Sequence, residues 1–84
     1  MTFKLFLSKK AAGFLERISN DDKRRIVAKL KLLEGNPYIL PYKKIRGREG
    51  TYRIRVGDLR VIFSVHETKI LILKIGRREG IYKQ

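Results

Sequence analysis

Residues 51–65, TYRIRVGDLRVIFSV, constrain what this chain can fold into more than any other stretch. Two runs alternate in polarity with period two, as strands with one buried face do, and Gly57–Asp58 interrupts them where a two-residue turn with glycine first suits type II′ geometry. That turn sets the register. Val56 then faces Leu59, Ile54 faces Val61 and Tyr52 faces Phe63, so one side of the hairpin is wholly apolar and requires a covering layer. The other side pairs Arg55 with Arg60, Arg53 with Ile62 and Thr51 with Ser64. Two guanidinium groups on one rung destabilise the pairing, so their alignment points to a functional site rather than to a folding requirement.

The covering layer is legible upstream. Ser8 can cap a helix from Lys9 to about Ile18, with Ala11, Phe14, Leu15 and Ile18 at helical spacing. SNDD marks a second start, with Ser19 or Asn20 as cap and Asp21 and Asp22 in the first turn, where the helix dipole favours carboxylates. Ile26, Val27, Leu30 and Leu33 form its apolar stripe, and EGNP ends it, with Gly35 expected as a left-handed cap and Pro37 beyond. Together they make a helical hairpin.

Thr2–Leu7 reads as a short strand of mature structure, because Lys9 and Lys10 cut its apolar run below the length of a signal-peptide core. A last strand is expected over Lys69–Ile75, after a turn at about Glu67 and Thr68. A turn of odd length puts Leu71, Leu73 and Ile75 on the core face and Lys74 among the arginines; an even one reverses this.

Charge supplies the functional direction. With 21 Lys and Arg against 8 Asp and Glu, the 84 residues carry a net charge of +13, which implies a polyanionic partner and makes nucleic acid the first choice. A single domain over residues 1–84 fits that length. The absence of cysteine removes disulfides, thiolate metal sites and thiol nucleophiles, and makes the cytoplasm the default compartment. No stretch approaches the roughly 20 apolar residues of a membrane span. There is no phosphate loop ending in Lys-Ser or Lys-Thr, no His pair at ligand spacing and no carboxylate cluster, so neither metal nor cofactor is expected. His66, the one histidine, is a general base by residue type, although a histidine near a turn is ordinarily just exposed.

The arginine face carries the sharper chemistry. Charged residues on the open side of a sheet are commonly just a solubilising surface. Here they share one sign and are arginine at each hairpin position, and arginine suits bidentate contacts with phosphate and stacking on bases. Lys43, Lys44, Arg46, Arg48, Arg77 and Arg78 flank them, and the first four, with Lys74 and Arg77, are read as RNA-binding. Tyr82 could stack on a base, transfer a proton or simply plug a sheet edge.

The stretches KKIRGREGTYRIRVGDLRVIFSV and IGRREGIY, with the strand and helical pattern before them, resemble the RelE toxins of the RelE/ParE toxin–antitoxin superfamily. The resemblance implies an α+β fold of order β-α-α-β-β-β, two N-terminal helices on one face of a small twisted antiparallel sheet and a basic concave surface on the other. It also implies a metal-independent endoribonuclease that cleaves mRNA in the ribosomal decoding site, in contact with ribosomal RNA, until a RelB-like antitoxin sequesters it. On this basis Arg53, Arg55, Arg60, Arg78 and Tyr82 are the catalytic candidates, and Arg46 is the arginine of the RG turn. Well-known relatives carry lysine where this chain has Arg53 and Arg55, and guanidinium does not release a proton. The base is then sought in Tyr82, His66 or a ribosomal RNA group. Two other functions are compatible with the same residues: a ParE-like gyrase poison without catalysis, and an inactive basic RNA-binding module.

Overall fold

The computed structural model describes residues 2–77; Arg78 and Tyr82 lie outside them. The order is β1 (Lys4–Leu7), α1 (Lys9–Arg17), α2 (Asn20–Gly35), β2 (Tyr42–Lys44), β3 (Thr51–Val56), β4 (Leu59–His66) and β5 (Lys69–Arg77). The strands form one sheet in the order β1-β5-β4-β3-β2. The α+β class holds, with two differences from the expected sheet. Tyr42–Lys44 is a strand of its own, and β1 pairs with β5 in parallel, so the sheet is mixed. Parallel pairing follows from the helical hairpin, which carries the chain across one face before the antiparallel meander begins.

Each helix starts at a serine. Ser8 Oγ accepts from the Ala11 N–H at 3.0 Å and Ser19 Oγ from the Asp22 N–H at 3.2 Å, satisfying amide groups that the first helical turn leaves without partners. Gly35, expected to take the left-handed cap, instead ends α2 in helical conformation. Asn36 follows as an extended C-cap, whose N–H donates to the Leu32 carbonyl. The helices bury Ala11, Leu15, Ile26, Leu30 and Leu33 against Ile54, Val56, Leu59, Val61, Phe63, Ile70, Ile72 and Ile75 of the sheet. Val27, expected in that stripe, is instead exposed on α2; one residue of a helix rotates a side chain by about 100°, enough to carry it off the face.

The central hairpin has the expected register, with Val56 opposite Leu59, Ile54 opposite Val61 and Tyr52 opposite Phe63. Gly57 takes φ +64°, the left-handed conformation that the first turn position requires.

β5 satisfies both parities of the β4–β5 turn in succession. Glu67 and Thr68 make an even turn that pairs His66 with Lys69, which puts Ile70 and Ile72 on the core face. A register shift then follows. Phe63 pairs with Ile72 but Ile62 pairs with Lys74, so Leu73 is the extra residue of a β-bulge. Beyond it the parity is reversed, Ile75 enters the core and Lys74 joins the arginine face.

Candidate nucleic-acid interface

Register places the cations. Residues directly opposite one another in a sheet share a face, so Lys43, Arg53, Ile62 and Lys74 form one row across four strands. At roughly 4.8 Å between strands, that row spans about 14 Å. The next row on the same face holds Arg55, Arg60 and Gly76. The two rows are about 7 Å apart along the strands, close to the spacing of successive phosphates on an extended nucleic-acid strand.

The like-charged rung is resolved by divergence. Arg60 is only 7% exposed and its Nη1 donates to the Leu59 carbonyl at 3.4 Å, whereas Arg55 projects into solvent. Across from Arg60 on β5 stands Gly76, which has no side chain to compete for that space.

Two adjoining depressions share Lys43 and Arg53. The larger, of about 700 Å³, is rimmed by Lys10, Lys43, Lys44, Arg46, Arg48, Arg53 and Lys74 over a floor of Ile45, Ile62 and Leu73. The smaller, of about 420 Å³, lies at the β2 edge between Lys29, Leu40, Pro41, Tyr42, Lys43, Arg53 and Arg55. Among the described residues no carboxylate lines either one. A surface of this kind can meet an anion with its side chains; among the described residues no group of His, Cys, Asp or Glu is placed to hold a metal ion.

Lys43, Lys44, Arg46, Arg48, Arg53, Arg55 and Lys74 thus come together as the sequence suggests, with Arg60 beneath them. Lys44 pairs with Tyr52 on the opposite parity and reaches the rim because it ends the edge strand.

Arg77 goes elsewhere. It pairs with Leu59 on the helix side, where Nη1 contacts both carboxylate oxygens of Asp58 at 3.1 Å and Nη2 lies 3.5 Å from Asp22 Oδ2. His66 shares the open face but sits at the far end of β4, roughly 20 Å from Arg60 at about 3.4 Å per residue.

Lys10 and Lys29 are part of the site without having been singled out in the sequence. Lys10 left a signal there, since the first turn of α1 holds Lys9 and Lys10 and no acid, although the helix dipole disfavours cations at that end. Lys29 left none, because a lysine on the polar face of α2 is ordinary.

On the other side of β2, Tyr38, Tyr42 and Tyr52 pack edge to face or tilted with ring centroids 5.2–5.5 Å apart, and Tyr52 continues the contact to Phe63 in the core. A hydrogen bond to Tyr52, then burial and the neighbouring phenols, raise the pKa of Tyr38 above its ordinary 10.0. It therefore stays neutral at physiological pH.

Three comparisons place this arrangement among known proteins. The family described as the ParE toxin of the type II toxin–antitoxin system, parDE, matches residues 5–82. A protein of Methanocaldococcus jannaschii named as toxin RelE1 is 30% identical over 99% of this chain and 98% of its own length. Among solved structures, a chain of the archaeal RelE–RelB complex from Pyrococcus horikoshii superposes with a TM-score of 0.83 at 30% identity, covering 95% of this chain and 99% of that one. A double mutant of E. coli toxin RelE in the free state superposes with a TM-score of 0.82, over 96% of this chain and 88% of that one, and at 19% identity shows the shared fold.

Proposed function

This chain belongs to the ParE family of type II toxins and is of RelE type within that superfamily, and from that membership we propose that it is a ribosome-dependent mRNA endonuclease. The observation that supports this most is the pair of cationic rows, Lys43–Arg53–Lys74 beside Arg55–Arg60, at phosphate spacing on the face opposite the helices.

The reaction asks for little else from the fold. A ribose 2′-hydroxyl attacks the adjacent phosphorus in line, the bond to the leaving 5′-oxygen breaks, and negative charge grows on the phosphorane between them. Arg53, Arg55 and Arg60 stabilise that charge, with Arg78 joining them as the resemblance implies. A proton must leave the 2′-hydroxyl and another must reach the 5′-oxygen. Guanidinium groups cannot exchange them, and His66 lies too far along β4, so the transfer falls to Tyr82 or to a group of ribosomal RNA. Its working compartment is the cytoplasm, where translated message is found.

The partner is a RelB-like antitoxin with an acidic or amphipathic segment. The P. horikoshii relative and a 25% identical RelE chain from Methanococcus jannaschii are seen in complexes with RelB, and the charge of +13 makes that association steeply salt-dependent.

Primer extension on a translated message tests the proposal. Purified protein should cut within codons, and Arg60→Ala and Tyr82→Phe should abolish the cuts. Intact message at saturating protein would overturn it. Because the matching family is described by ParE, gyrase is the second target to assay. Stabilised gyrase cleavage complexes with normal translation would support that reading instead.

A further inference from the structure

The smaller depression runs round the β2 edge, with Tyr42 on the helix-side parity and Arg53 and Arg55 on the open face. Tyr42 lines it together with Arg53, Arg55, Lys43 and Lys29, above Leu40 and Pro41. Tyr42 is 39% exposed and its neighbour Tyr38 43%, so part of each ring is accessible to a ligand. Tyr42 is also held in place. Tyr38 and Tyr52 pack against it at 5.5 and 5.2 Å, and Tyr52 rests on Phe63, so the ring is a rigid platform rather than a mobile side chain.

We propose that this depression is a nucleobase subsite, in which a nucleotide next to the one held on the arginine rows stacks its base on Tyr42 and lays its phosphate against Lys43 and Lys29. It rests on the reading of the open face as an RNA surface and extends it round the β2 edge.

Geometry allows the path. Tyr42 and Lys43 are consecutive, about 3.8 Å apart at Cα and directed to opposite sides of the edge strand, so one nucleotide bridges ring and cation. A volume of about 420 Å³ lies in the range of about 300–1,000 Å³ typical of small-ligand pockets. The base must be unstacked to reach the ring, which selects single-stranded RNA over a duplex. An acidic peptide would also meet the lysines, but an aromatic ring one residue away from a cation on the same edge strand matches a base joined to a phosphate more closely than it matches aliphatic side chains.

Tyrosine emission reads the subsite directly. The chain has no tryptophan and four tyrosines, so Tyr82→Phe leaves only Tyr38, Tyr42 and Tyr52 to fluoresce. In that background, without ribosomes, an oligouridylate of about eight nucleotides should quench the emission. An abasic oligomer with the same phosphates should bind without quenching. Tyr42→Leu should weaken oligouridylate binding about five- to a hundredfold, from the stacking energy of one base, and leave abasic binding unchanged; Tyr42→Phe should retain full affinity.

Oligouridylate that saturates the protein without quenching, or that binds Tyr42→Leu and Tyr42→Phe alike, overturns the subsite. So does quenching by an acidic antitoxin peptide but not by RNA, which would assign the rings to a protein partner. The two readings fail separately: message cut by the wild-type protein with silent fluorescence in Tyr82→Phe overturns the subsite alone, and quenching in Tyr82→Phe with message left intact by the wild-type protein overturns the nuclease alone.

Discussion

The hydroxyl of Ser8 donates to the carbonyl of Leu73 at 2.8 Å while accepting from the N–H of Ala11. One side chain thus caps α1 and satisfies the carbonyl of the bulge that turns Lys74 onto the arginine face. Its own N–H donates to the Ile72 carbonyl at 2.9 Å, so the junction of β1 and α1 is pinned to the bulged residue and to the one before it. Stability and the shape of the site meet at this residue.

Ser8→Ala should therefore have two effects. Loss of the cap costs about 0.5–2 kcal/mol, visible as a lower urea midpoint, and release of Leu73 loosens Lys74 and weakens RNA binding. Ser19→Ala removes a comparable cap at an exposed position away from the site and should lower the midpoint alone. Equal binding losses in both variants would show that the bulge is held by other contacts.

Salt dependence separates cations that meet phosphate from those that do not. Each contact to a single strand contributes about 0.7 to the slope of log K against log salt. Arg53→Ala should flatten the slope by that amount. Arg77→Ala should leave it nearly unchanged, because Arg77 is occupied by Asp58 and Asp22 on the helix side. Titrations over a range of ionic strength decide between them.

At Arg60 the shape of the cation should matter as much as its charge. A guanidinium lying almost buried presents a planar fork that an ammonium cannot reproduce. Arg60→Lys should keep the fold and lose about ten- to a hundredfold in cleavage, as for one or two charge-assisted hydrogen bonds. Full activity in Arg60→Lys, followed by primer extension, would mean that charge alone is required.

Tyr38 predicts an alkaline signature. Its pKa is raised in the folded protein above the ordinary 10.0, so its stabilising contribution is complete below about pH 10 and is lost as pH rises through the folded value. Absorbance titration of phenolate should show Tyr38 ionising above 10.0. In Tyr52→Phe, which removes the largest cause, that ionisation should move back toward 10.0.

The hairpin was legible because its information is local. Period-two alternation and one glycine-first turn determine which residues face each other, and the Arg55–Arg60 rung follows without reference to any other element. The helix starts at Ser8 and Ser19 were legible for the same reason, since a cap needs only its own first turn. Cations brought in from a distance were harder to see. Nothing near Lys29 or Lys10 in sequence connects them to Arg53, and the period of two that begins after Pro41 does not mark off the short strand Tyr42–Lys44 from the segment leading into the hairpin.

By itself, the sequence determined an apolar face, an arginine face and a strong positive charge. Only the tertiary structure decided the parity of β5. The even turn and the bulge at Leu73 put Ile70, Ile72 and Ile75 all in the core and still deliver Lys74 to the other side. A bulge changes the face of every residue after it, and its carbonyl is bonded by Ser8, a partner distant along the chain. No local pattern records that partner. The direction of Arg77 was decided in the same way, by carboxylates that the turn at Asp58 and the start of α2 bring to the end of β5.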